Sequence, residues 1–72
     1  MNRRAVWNLL EKKSDDQLIS LARNAMKNAR ALEAMDASRV ADNERRLAGE
    51  IHALVNAERP HLIAQIAAEL VE

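Results

Sequence analysis

Cysteine, tyrosine and phenylalanine are missing from this 72-residue chain, and glycine and proline occur once each, as Gly49 and Pro60. Without cysteine there is neither a disulfide nor a thiolate metal site. One glycine and one proline leave few points at which a helix must stop. Trp7 is the only aromatic residue, so the stacking surfaces that hold nucleic-acid bases cannot be built here. No stretch approaches the ~20 apolar residues of a membrane span, and no secretory apolar region follows Arg3 and Arg4. These absences predict a cytoplasmic protein with no membrane association. Net charge is zero, which removes any overall attraction to a polyanion. Apolar residues make up 49% of the chain, enough, at zero net charge, to argue for a packed fold over disorder.

The charges that are present are divided by position. Residues 1–30 carry seven Lys/Arg against three Asp/Glu, and residues 31–72 carry four against eight. The apolar set comprises 21 large side chains and 14 alanines. A core this small seldom supplies more than about 3–5 kcal/mol unaided, and small scaffolds add disulfides, metals or subunits. With disulfides excluded, helix packing and self-association remain. Alanine at a contact lets helix axes approach closely at no cost in helix propensity. Twenty-one large apolar residues over four helices exceed what one bundle of this size should cover. That predicts a homodimer, with the last helix and the Leu18–Leu32 face as its main contributors.

Four helices can be drawn, at about residues 3–12, 15–35, 37–57 and 60–71. The first has Val6, Trp7, Leu9 and Leu10 as its apolar set and ends at Lys12 and Lys13, cations suited to the negative end of a helix dipole. The second opens on Ser14-Asp15-Asp16-Gln17, which has the form of a capping box with two acids in the first turn. Leu18, Leu21, Ala22, Ala25, Ala29 and Leu32 then follow helical spacing. Asp36 is placed to cap a third helix whose stripe is Val40, Leu47, Ile51, Leu54 and Val55. Because neither Gly nor Pro interrupts residues 15–57, a single rod of about 64 Å is the alternative. An eleven-residue frame aligns Leu18, Ala29, Val40 and Ile51, whereas a heptad frame puts Arg39, Asp42 and Arg46 in the seam. A break near Asp36 is preferred, since a rod would leave the short helices little to pack on. Pro60 suits the first position of the last helix, whose Leu62, Ile63, Ile66, Ala67 and Leu70 need a groove to lie in. The fold class expected is all-α, a bundle of three to four helices around a long antiparallel helix hairpin, completed by dimerisation. In architecture alone it resembles many unrelated bacterial and phage proteins.

Chemistry-bearing groups are sparse. His52 and His61 stand nine residues apart across Pro60 with Glu58 between them, which is not the spacing of a zinc site. Solvated rings at helix flanks are the simpler reading. Ser14, Ser20 and Ser38 have no activating histidine at a telling distance. No enzyme, metal or cofactor is expected. Arg23, Lys27 and Arg30 recur at i, i+4 and i+7 beside Asn24 and Asn28, residue types that can contact phosphates and adenine edges. Three cations are few, and a solvated face is the plainer assignment. Trp7 is a core anchor or, half exposed, an interface hot spot. Ile19 and Met26 widen the apolar face of the second helix. A polar run, Asp42-Asn43-Glu44-Arg45-Arg46, either lies beyond the packed part of its helix or forms a Glu–Arg pair that sets register between chains. Gly49 costs about 1 kcal/mol in a helix interior, for which close approach of another helix is the expected reason.

The function read from these features is a protein-interaction module: an adaptor, an antitoxin or an inhibitor of a larger regulator. Its partner-binding residues would be Trp7, Ile19, Arg23, Met26, Lys27 and Arg30. The second reading is a DNA-associated transcriptional regulator that uses the Arg23/Lys27/Arg30 face.

Overall fold

Ser14 and Asp36 set the two sharpest boundaries in the chain. In the computed structural model, which describes residues 3–71, α1 runs Arg3–Glu11, α2 Asp15–Ala34 and α3 Ser38–Glu58. A 3₁₀ turn at Pro60–Leu62 leads into α4, Ile63–Leu70, and the described residues contain no strand.

Ser14 is extended, and its capping box with Gln17 is closed in both directions. The Gln17 N–H donates to Ser14 Oγ at 3.2 Å, and the Ser14 N–H donates to Gln17 Oε1 at 2.8 Å. Asp36 does something other than the expected capping of α3. It takes φ 60°, in the left-handed region, one residue beyond the last residue of the α2 cap. The Ala37 N–H donates to Leu32 O at 2.8 Å and the Asp36 N–H to Glu33 O at 3.0 Å. That is the Schellman pattern, which satisfies the carbonyls at the end of α2. Asp36 therefore stops one helix instead of starting the next, and α3 begins without a side-chain cap. Pro60 stands at the start of the 3₁₀ turn, where its missing N–H costs nothing.

The core lies where α2, α3 and α4 meet. Leu18, Ile51, Leu54, Val55 and Ile66 are fully buried there, with Leu10 of α1 and Leu62 of the turn joining them. Ala25, Met26 and Ala48 form a smaller cluster, against which Leu47 and Leu70 pack. Nearer residues 35–37 the seam is alanine, with Ala29 and Ala41 fully buried. The small side chains let α2 and α3 pair along their length. The last helix finds its groove within the chain: α4 lies on both α2 and α3. At 35 × 27 × 15 Å the Cα envelope is flat, so each long helix keeps a broad solvent face.

Several expected contacts are corrected. Val40 is 49% exposed, because Ala41, one residue further round the helix, takes the seam with Ala48 and Val55 a heptad apart. Leu9 is 63% exposed while its neighbour Leu10 is buried. Leu18, Ala22, Ala25 and Ala29 face inward and Leu21 and Leu32 are half-buried, so the face expected to join two chains packs against α3 and α4. Gly49 is exposed, and a Cβ there would meet nothing within 4 Å. Among the described residues no other helix approaches it closely. The polar run on α3 pairs within the chain: Arg45 bridges to Glu33 of α2. No polar or charged side chain is buried among the described residues.

Candidate interaction surface

The six residues picked out by sequence are not one patch. Trp7 is half-buried, and its indole N–H donates to Glu50 Oε2 of α3 at 3.0 Å. It ties α1 to α3 and is packed against the main core. Ile19 is half-buried against the same core. Met26 is only 5% exposed, and so belongs to the core and not to a free face.

The three cations of α2 remain exposed but have different surroundings. Arg23 lies against α4, where Nε donates to Glu69 Oε2 at 3.1 Å and Nη2 to Glu69 Oε1 at 2.8 Å. This fork-on-carboxylate geometry is the strongest form of such a pair. Its hydrogen bonds raise the Arg23 pKa and hold the Glu69 carboxyl below its ordinary value. Arg30 turns back along its own helix, Nε donating to Met26 O at 3.4 Å. Lys27, between them, is exposed. Nothing in the sequence pairs Arg23 with a residue 46 positions away; only the docking of α4 does so.

An open groove of about 380 Å³ is lined by Met26, Arg45, Ala48, Gly49 and Leu70. Met26 and Ala48 are themselves buried, so what faces solvent there is Gly49 with parts of Leu70 and Arg45. Arg45 borders it, and that guanidinium holds the Glu33 carboxyl below its ordinary value by a hydrogen bond. A second open depression, of about 340 Å³, lies along α2 and is lined by Lys13, Asp16, Gln17, Ser20, Leu21 and Asn24.

A polar cluster gathers where the ends of the helices meet. Arg59 donates from Nη1 to Asp15 Oδ1 at 3.0 Å and from Nη2 to Glu11 O at 2.9 Å. The His61 Nε2 stands 2.9 Å from Asp15 Oδ2, so His61 is exposed but not merely solvated. The His61 hydrogen bond, with Arg59 adding to it, lowers the Asp15 pKa. Glu58 behaves oppositely: desolvation, then its hydrogen bond with the Glu11 carboxyl, raises its pKa. The cluster fastens the segment that leads into α4 to the carbonyl end of α1 and the first turn of α2. No group of three or more His, Asp or Glu suited to a metal ion occurs among the described residues. No described helix is long and apolar enough to cross a membrane.

No protein-family model, no curated protein and no solved structure matches this chain.

Proposed function

We propose that this chain is a non-catalytic protein-interaction module, a helical hairpin of α2 and α3 buttressed by α1 and α4. It docks on a larger protein as an adaptor, an antitoxin-like partner or an inhibitor. The observation that carries this reading is the seating of Arg23 on Glu69. A polyanion approaching the basic face would have to displace a bidentate carboxylate, and Arg30 is already turned onto its own main chain. That leaves Lys27 as the cation to which neither tie applies. Single large apolar side chains left exposed, such as Val40 and Met35, suit a protein surface better than a phosphate backbone.

The module acts as a homodimer in this reading. Leu9, Met35, Val40 and Val71 are the large apolar side chains exposed among the described residues, and they supply the contact. Light scattering over a hundredfold concentration range should give twice the 8.1 kDa of one chain. A mass fixed at one chain throughout overturns the dimer.

The competing reading is a DNA-associated regulator that uses Lys27 with the exposed Asn24 and Asn28. A gel shift with mixed duplex DNA at about 50 mM and 200 mM salt separates the two, because phosphate contacts weaken steeply across that range. No retardation at micromolar protein is expected at either salt. A complex at low salt that disappears at high salt and in Lys27→Glu would put DNA first.

A further inference from the structure

The two long helices are joined by three residues, Met35, Asp36 and Ala37. Asp36 is the one non-glycine residue at positive φ among the described residues, a conformation that strains any side chain with a Cβ. The sequence around it does not call for a turn. Neither Gly nor Pro occurs between residues 15 and 48, and Glu33, Ala34, Met35, Ala37 and Arg39 are strong helix formers. Moreover, α3 begins without a side-chain cap, and an α2 that ran on would offer carbonyls to its first N–H groups.

The buried faces of α2 and α3 are also in phase across this join. Leu18, Ala29 and Ile51 are fully buried and lie at separations that are multiples of eleven residues. So do Ala22 and Val55, and so do Met26 and Ala48, all of them buried. An eleven-residue repeat holds one face of a continuous helix. Val40, exposed in the hairpin, is on the line of Leu18 and Ile51 and would return to that face. The contacts that hold the fold meanwhile run across the join. Leu10 and Leu18 share one core with Ile51, Leu54 and Ile66, while Trp7 bonds Glu50, Arg23 bonds Glu69 and Arg59 bonds Asp15. Each joins residues before 35 to residues after 37, and would form equally well if the second half came from another copy.

We infer that two copies of this chain exchange halves. In the exchanged dimer α2 and α3 run on as one helix through residues 35–37, and residues 38–71 of each copy pack on residues 3–34 of the other. The occupant is a second copy because the surface that α3 and α4 cover is already complementary to them, so exchange keeps the core. A short join under strain is where such exchange is least costly. Met35 and Val40, exposed beside the join, come together where the two long helices cross. This deepens the homodimer reading above and rests on it, adding the exchanged core to the contact made by exposed side chains.

The test reads a distance within one chain of the dimer. Spin labels are placed on the full chain at Ser20→Cys and Asn56→Cys, two exposed positions on α2 and α3. The labelled chain is mixed with excess unlabelled chain, unfolded, refolded at high concentration and separated by size exclusion. A continuous helix sets the two positions about 54 Å apart at about 1.5 Å per residue, well beyond the 35 Å of the hairpin's longest dimension. The dimer fraction should show the long distance and the monomer fraction the short one. A dimer that keeps the short distance overturns the exchange and leaves a surface-contact dimer standing. No dimer at any concentration overturns both. Variants at the join give a second arm. Asp36→Gly relaxes the turn and weakens a helix through it, so the dimer's dissociation constant should rise about tenfold or more. Asp36→Ala is strained in the turn and favoured in the helix, so the constant should fall by a similar factor. Equal dimerisation of the two variants, or the reverse order, contradicts the inference.

Discussion

Gly49 and Asp36 each hold a position whose backbone cost another residue type would lower, and each gives a direct prediction. Gly49→Ala should stabilise the fold by about 1 kcal/mol, since the added methyl meets only open space. For a domain of this size that is a rise of roughly 4–8 °C in Tm, measurable by circular dichroism. A fall would mean that an unseen neighbour occupies the space. Asp36→Gly should also stabilise, by up to about 1 kcal/mol, because a left-handed aspartate is strained and the Schellman bonds use only main-chain atoms. Were Asp36 a cap for α3, the same change would destabilise. Sequence identified Asp36 as a boundary but assigned it to the wrong helix. Asp serves as an N-cap more commonly than as a left-handed terminator, and nothing in residues 35–38 separates the two. Ser14 and Gln17 were legible because all four atoms of their box lie within four residues of chain.

The ion pairs give the acid limb of stability a definite sign. Asp15, Glu33 and Glu69 have folded-state pKa values below their ordinary ones, so their contribution is present above about pH 4 and disappears as pH falls through the lowered values. Glu58, with its pKa raised, opposes this weakly: its penalty is relieved as it takes up a proton on the way down. Three groups against one predict a Tm that drops below about pH 4. His61→Asn should shift that drop toward higher pH, because the first cause of the lowered Asp15 value is the His61 hydrogen bond. An acid limb unchanged in His61→Asn would show that this bond does not form in solution.

At the level of elements, α4 is the piece on which the rest depends. Ile66 of α4 and Leu62 of the turn before it are buried in the core shared with α2 and α3, and each fully buried side chain of that size contributes roughly 1.5–3 kcal/mol. Ile63 and Leu70 add partial burial. The sum is comparable with the whole stability of a small domain. A chain ending at Arg59 should therefore lose its cooperative melt, which circular dichroism reads directly. A melt like that of the full chain would make α4 an exposed tail. The helices themselves were visible in the sequence as periodicity, and so was the need of the last one for a groove. Which single residue faces in was less visible. Adjacent residues differ by about 100° around the helix, so of Leu9 and Leu10, both expected to face in, only one can; at Val40 against Ala41, hydrophobicity favoured the larger side chain. Close pairing of α2 and α3 instead selects the small one.

Over the whole molecule, ion pairs tie the basic half of the chain to the acidic half at two places. Arg23 of the basic half meets Glu69 of the acidic half, and Arg59 of the acidic half meets Asp15 of the basic half. Counting charges by position showed the division but could not show that folding brings these partners together, since each pair is more than 40 residues apart in sequence. Lys27 and the exposed apolar side chains Leu9, Met35, Val40 and Val71 are the features on which the proposed docking to a protein rests. The most direct test is capture from nuclease-treated host extract on the immobilised full chain, with the retained material quantified against bait. The account predicts one protein retained in about equimolar amount at about 150 mM salt, with an apolar contribution that survives higher salt. Recovery of nucleic acid alone when nuclease is omitted, and of no protein when it is added, would contradict it.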